Sequence, residues 1–389
     1  MIDNVNNHIH TVYSFSPYTP MQAVKKAKES GLDTAGIMDH DSVGGLLEFI
    51  AAGREVGIAT TVGFECRANF DNTPFVGRRV NNPDQNSVAY LAMHGIPHDK
   101  FDRVEAFLEP HRMARNERNR KMIIRLNDLM YKHGLEINFD ADVVAISRHD
   151  DGGSITERHI LYTLAGKIIN KIGAGASVVD FLYGKLGIEV MGNNLEKLRN
   201  PDSKWYQYYL LGVLKGNLVE KFYIDAKDEL PTPQDFVALA SEIGAIPAYA
   251  YLGDVGDSVT GDKRSQNFED AYLDELVEYL ARIGFKAITY MPTRNTHEQL
   301  KRLMTLCDRY GLFQICGEDI NTPFQPFVCE ALKSKEYQHL ITSAWALVGH
   351  EISATKNGIG MFSQEIIDKY PLLTERIEYF AKIGKGLAA

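Results

Sequence analysis

The chain has 389 residues, of which 44% are hydrophobic and 24% charged, with a formal net charge of −9. That length suits one large α/β domain with insertions or two to three smaller ones, and the acidic balance argues against sequence-independent binding to nucleic acid or anionic membrane. Cys66, Cys307, Cys316 and Cys329 form no C-x-x-C pair, which argues against a disulfide framework or a thiolate zinc site.

No apolar run is long enough to span a membrane. The first motif follows Met1 too closely for a signal or transit peptide, so a reduced, cytoplasmic setting is expected. That motif is Val5-Asn6-Asn7-His8-Ile9-His10-Thr11. Two histidines one residue apart on a strand project to the same side, where two imidazoles can bind one divalent ion. With 12 histidines in the chain, such a spacing arises by chance about 0.4 times, so it needs support from elsewhere.

Thr19-Pro20 reads as a cap and first helical residue for a helix carrying Met21, Val24 and Ala27, closed by Gly31. Thr34 to Met38 reads as a short buried strand leading into Asp39-His40-Asp41. Ser42 is expected to cap a second helix with Leu46, Leu47 and Ile50 that ends at Gly57. Ile58 to Phe64 is the third predicted strand, followed by Glu65. Three successive predicted strand ends therefore carry His8/His10, Asp39/His40 and Glu65. In parallel α/β proteins the carboxyl ends of the strands converge on one crevice or barrel mouth.

Residues 70–110 read as loop-rich, with an apolar piece at Val88 to Met93 and His94 and His98 as candidate auxiliary ligands. A long helix is expected from His111 to His133, with Met122, Leu126, Leu129 and Met130 as its apolar stripe. Its basic first half (Arg112, Arg115, Arg118, Arg120, Lys121, Arg125) reads as a solvated face paired to Glu117, with one or two guanidinium groups available to a phosphorylated substrate. A further helix is expected over Ile160 to Asn170, with His159 at its entrance, and residues 192–232 read as an inserted or linking segment.

Alternation resumes with a helix from Thr232-Pro233 and strands at Ala245 to Leu252, Phe285 to Tyr290 and Leu312 to Cys316. Phe268 to Ile283 reads as amphipathic, and Thr296 to Gln299 as a capping box. Gly317-Glu318-Asp319-Ile320-Asn321 places another carboxylate at a strand end. The tail from Ser334 reads as helices packed on the outside, without chemistry.

His8-x-His10, Asp39-His40 after Ile37-Met38, and Gly63-Phe64-Glu65 resemble the opening motifs of the PHP (polymerase and histidinol phosphatase) superfamily. Ile155 to Gly187, Ala250-Tyr251-Leu252 and Gly317 to Asn321 are similar, more loosely, to later segments of its metal-dependent phosphoesterase branch. The resemblance implies a distorted (β/α)7 TIM-like barrel with a metal cluster at its C-terminal mouth and a helical insertion capping it. Residues 1–70 and 233–325 would form the barrel, 71–232 the insertion (part of it completing the barrel) and 326–389 a C-terminal helical extension.

By position, His8, His10, Glu65 and Asp319 match the ligands of one metal. Glu65 would bridge to a second, shared with His159, and His40 matches a ligand of a third. Phe15, Tyr251 and Asn321 stand where the family places ligands, so one firmly held ion, and at most two, is expected. Zn, Mn and Fe all suit mixed His and carboxylate ligation.

The implied activity is hydrolysis of a small phosphate ester, a phosphorylated metabolite or nucleotide, by metal-activated water. Asp39 and His40 are the candidates for orienting, deprotonating or protonating roles. The competing readings are another metal-dependent hydrolase, amidohydrolase-like, and a metal-binding barrel without turnover. A small phosphorylated substrate is expected, with no nucleic-acid polymer and no membrane partner.

Overall fold

The computed structural model describes residues 3–256 and 266–386. The chain divides into two compact units, residues 1–111 with 230–389, and residues 112–229.

The first unit is built on a seven-stranded sheet whose strands lie side by side in sequence order: β1 (Val5–Ile9), β2 (Thr34–His40), β3 (Ala59–Asn69), β4 (Val88–His94), β5 (Ile246–Ala250), β6 (Ala287–Tyr290) and β7 (Phe313–Cys316). β1, β2 and β3 are parallel, as are β5, β6 and β7, while β4 runs antiparallel to both of its neighbours. The short parallel strands are almost continuously buried, as expected when both faces are covered.

A parallel bridge between Ile9 and Ile320 nearly closes the sheet into a barrel. Side-chain amides reinforce that seam: Asn7 Nδ2 donates to the Cys316 carbonyl (2.9 Å) and Asn6 Nδ2 to the Glu318 carbonyl (3.2 Å). Gly317 is required here by close approach, because a Cβ would sit 2.6 Å from that of His8.

Helices α1 (Pro20–Glu29) and α2 (Leu46–Val56) connect the first three strands, and α3 (Phe101–Met130) follows β4. The unit 112–229 holds most of α3 with α4 (Glu157–Ile172), α5 (Ala176–Leu186), α6 (Gly192–Arg199) and α7 (Tyr206–Phe222). In the first unit, α8 (Pro233–Ile243), α9 (Leu273–Ile283) and α10 (His297–Tyr310) alternate with β5 to β7, and α11 (His339–Asn357), α12 (Gln364–Lys369) and α13 (Leu373–Gly384) come after them. The expected caps at Thr19, Thr232 and Thr296 are all capping boxes, which explains why those helix starts are readable from local sequence.

Several expectations are corrected. Glu65 is not at a strand end, because β3 continues to Asn69. Beyond His40, where its parallel partner stops, β3 pairs with β4 from Glu65↔Ala92 to Asn69↔Val88. The stretch 71–232 thus contributes a barrel strand, β4, within the first unit. α2 starts at Leu46 behind Gly45 rather than on Ser42, whose hydroxyl accepts from Gly44 N–H instead. α3 begins ten residues earlier than its apolar stripe suggested and contains Pro110.

The tail is not a peripheral layer. Met38, Ala92, Ile246, Ala248, Ala287, Phe313 and Ile315 inside the barrel share one buried cluster with Ala346 and Leu347 of α11 and Phe380 and Ala381 of α13. α11 reaches the amino-terminal end of the parallel strands. There buried Glu351 accepts from Val62 N–H (2.7 Å) and from His98 Nε2 (2.8 Å), and His350 lies against the Gly95 carbonyl. The tail therefore closes the barrel at the end opposite the carboxyl termini of those strands.

In the second unit, α4 buries Ile160, Leu164 and Ile168, and α7 buries Leu210, Leu214, Leu218 and Phe222. These four-residue intervals form the seam on which the two helices pack. The segment 192–232, expected to be an inserted or linking segment, contains α6 and α7, with Tyr206, Tyr208 and Tyr209 crowded into the first turn of α7. The basic face of α3 is largely consumed internally. Glu229 accepts from Arg115 (3.2 Å) and twice from Arg118 (2.5 and 3.0 Å), Arg120 forks onto Asp140 (2.7 Å for each bond), and Arg125 caps the Tyr223 carbonyl. Arg120 also pairs with Glu117 at 3.7 Å, as expected.

Candidate metal centre

His8 and His10 leave β1 on the same side, with their Nε2 atoms 3.2 Å apart. Glu65 reaches in from β3, its Oε1 lying 3.6 Å from His8 Nε2, 3.4 Å from His10 Nε2 and 2.9 Å from His40 Nδ1. Asp319, just beyond β7, places Oδ1 3.2 Å from His10 Nε2. His8, His10 and Glu65 are buried and offer ligand atoms that all lie within 4.8 Å of one another.

Burial works against charge on His8, but the Glu65 and Asp319 carboxylates outweigh it and raise its pKa above 6.5. Burial likewise opposes charge on Glu65, yet His40 and His8 hold its carboxyl well below the ordinary 4.5. A site in which imidazoles and carboxylates stabilise each other's charge this closely is electrostatically suited to a cation.

The spacing fits a divalent ion. Ligand atoms at tetrahedral corners with arms of ~2.0–2.1 Å stand ~3.3–3.4 Å apart, close to the separations found here. The tautomer of His10 fits as well. Asp39, buried at the end of β2, accepts from Thr11 N–H (2.6 Å), Thr11 Oγ1 (2.5 Å) and Ser14 Oγ (2.6 Å). Ser14 spends its single hydroxyl proton on Asp39, so at 3.2 Å it can only accept from His10 Nδ1–H. That leaves a lone pair on His10 Nε2, facing Glu65 and Asp319. Both Asp39 oxygens are thereby occupied, and it holds Ser14 against His10. Thr11 and Ser14 carry no signal in the sequence, because a hydroxyl between two stronger groups leaves no motif.

The remaining candidates take other partners. His159 caps α4 in the second unit, its Nδ1 accepting from Thr156 N–H (3.1 Å). A neutral imidazole accepting at Nδ1 carries its proton on Nε2. Burial pushes its pKa down to about 3, so it stays neutral. Phe15 is a buried phenyl ring. Asn321 donates from Nδ2 to Asp319 Oδ1 (2.7 Å), orienting a carboxylate that faces His10. Glu318 accepts from Thr293 Oγ1 (2.6 Å) through Oε2. His94 is buried on β4, with no partner for Nε2 among the described residues, and His98 is bound to Glu351.

Tyr251 donates to Asp270 Oδ1 (2.6 Å), and the loop after β5 is organised around buried Glu269. Glu269 accepts from Leu252 N–H (2.9 Å) and Tyr249 Oη (3.1 Å). Burial raises its pKa from 4.5 to about 7, with those hydrogen bonds only partly opposing the shift. The protonated form is thus favoured by folding, and the contribution to stability is present below pH 4.5 and lost as pH rises through about 7. We expect Glu269→Gln to remove a loss of about 3 kcal/mol between those pH values, read as a flatter dependence of denaturant midpoint on pH. An unchanged pH slope in the variant would show that the carboxyl ionises freely.

Residues 6–166 match the model of the PHP domain. Over that stretch the chain is similar to a PHP domain. The match runs from within β1 past β4 and includes His8, His10, Asp39, His40 and Glu65; Asp319 lies outside it. No curated protein matches the chain.

Among solved structures, a protein from Bifidobacterium adolescentis proposed to be a metal-dependent phosphoesterase is similar with a TM-score of 0.56 and 19% identity, over 88% of this chain and 96% of that one. An amidohydrolase from Chromobacterium violaceum, with bound sulfate and no metal, is similar with a TM-score of 0.54 and 18% identity, over 84% and 90% of the two chains. At these identities the likeness is one of fold, and it extends well beyond the PHP match, through the barrel's second half.

Proposed function

We propose that this protein is a metal-dependent hydrolase acting on a small phosphate ester. The observation that carries the reading is the convergence of His8 Nε2, His10 Nε2 and Glu65 Oε1, with Asp319 Oδ1 beside His10. His8, His10, Glu65 and Asp319 would hold a divalent ion such as Zn, Mn or Fe. Such an ion, when bound, neutralises phosphoryl oxygens and lowers the pKa of water towards about 7. The sulfate in the C. violaceum structure, an oxyanion shaped like phosphate, is in keeping with this substrate class.

The chain's own residues do the rest. Ser14 and Asp39 fix the His10 ring so that its lone pair faces the centre. Glu65 accepts a hydrogen bond from His40 Nδ1, which orients the partly exposed His40 ring. His40 is placed to move a proton at the leaving oxygen, and Tyr90, whose ring centroid lies 5.7 Å from that of His40, walls the position.

The test is a metal count on purified protein, paired with turnover on a panel of phosphate monoesters, phosphodiesters and amides. Phosphate release proportional to metal content, abolished by chelation and by His8→Ala, is expected. Amide hydrolysis without ester hydrolysis would transfer the assignment to the amidohydrolase class. Full metal occupancy with no turnover on any substrate would leave a binding protein.

A further inference from the structure

The turn after β6, residues 291–296, is clamped from both sides at the carboxyl ends of the strands. On the β7 side, Thr293 Oγ1 donates to Glu318, the neighbour of Asp319. On the β5 side, Arg294 Nε (3.2 Å) and Asn295 Nδ2 (2.7 Å) both donate to the Leu252 carbonyl. The backbone closes the turn with Arg294 N–H on the Met291 carbonyl (3.0 Å).

The guanidinium of Arg294 is therefore held by its inner nitrogen while Nη1 and Nη2 donate to no described residue, and no described carboxylate pairs with it. Arg78, Arg103 and Arg302 lie on the surface and each is paired with a glutamate or aspartate. Arg294 is partly buried, and burial lowers its pKa below the ordinary guanidinium value against the pull of Glu269 and Asp319. A cation fixed by one nitrogen, with a planar pair of donors left over beside a metal-type ligand, is shaped to fork onto a tetrahedral oxyanion.

We propose that Arg294 binds the phosphoryl group of the substrate through its two Nη atoms, an assignment that rests on the phosphate-ester function proposed for the centre. It is a specificity residue: it distinguishes a phosphate ester from an uncharged amide, and it lies outside the PHP match.

The experiment compares wild-type, Arg294→Met and Arg294→Lys proteins, loaded with metal to the same content. Affinity for inorganic phosphate is measured by calorimetry, and KM and kcat with p-nitrophenyl phosphate. Arg294→Met is expected to weaken phosphate binding and raise KM by about ten- to a hundredfold, the worth of hydrogen bonds to a charged group. Arg294→Lys should recover only part, because an ammonium cannot fork. Phosphate affinity unchanged in a folded Arg294→Met protein overturns the proposal. Should that variant not fold, unchanged affinity in Arg294→Lys does so instead. Wild-type protein that binds phosphate through Arg294 yet cleaves no ester would overturn the functional reading and leave this one standing.

Discussion

Glu65→Gln is expected to lower bound metal well below the wild-type content and to reduce turnover by at least about a hundredfold, while the protein stays folded. The carboxylate is the hub of the centre: a single oxygen, Oε1, meets His8, His10 and His40. The substitution keeps the shape of the side chain and removes its charge. An amide oxygen is a weaker ligand for zinc-like ions, and the amide nitrogen, if turned inward, meets three imidazoles with a donor. Metal analysis by mass spectrometry, with circular dichroism as the control for folding, provides the check. Full metal content and undiminished turnover in Glu65→Gln would remove Glu65 from the ligand set and, with it, the proposed centre.

The second large effect concerns stability, far from the centre. Glu351→Ala is expected to destabilise the first unit by about 3 kcal/mol, because the side chain is buried and serves two partners at once. Its loss leaves the Val62 N–H unsatisfied inside the barrel wall and His98 without its carboxylate, and opens a cavity between α11 and β3. Burial raises the pKa of Glu351, while the hydrogen bond from His98 opposes the shift. Glu351→Gln, which can still accept from Val62, should recover a large part of the loss. Denaturant unfolding of the three proteins measures it. A midpoint for Glu351→Ala within experimental error of wild type would mean that the tail rests on the barrel without contributing to it.

The same two residues mark where sequence reading succeeds and where it stops. Caps with side-chain chemistry, such as Thr19, Thr232 and Thr296, are local, and the helices they open begin where the residues say. β4 is apolar and embedded among loops, so its strand character depends on β3 and β5 lying to either side of it. The continuation of β3 past Glu65 has the same cause. The role of the tail is hidden by the ordinary look of its amphipathic faces. Glu351 reads in sequence as a helix-surface carboxylate; only the fold brings Val62 and His98 to it.

His8 and His10 are visible because a strand's two-residue period fixes their common side, whatever the rest of the chain does. Asp39, His40, Glu65 and Asp319 are visible as candidates through residue type, strand position and family resemblance. The sequence by itself thus determined which groups could coordinate. What only the tertiary structure decided is which of them share one atom's surroundings: Glu65 Oε1 meets three rings contributed by two other strands, Asp39 is saturated by Thr11 and Ser14, and His159 spends its acceptor nitrogen on a helix cap. Ligand type is a property of a residue, whereas ligand geometry is a property of neighbours that lie tens to hundreds of positions away, brought together by barrel closure.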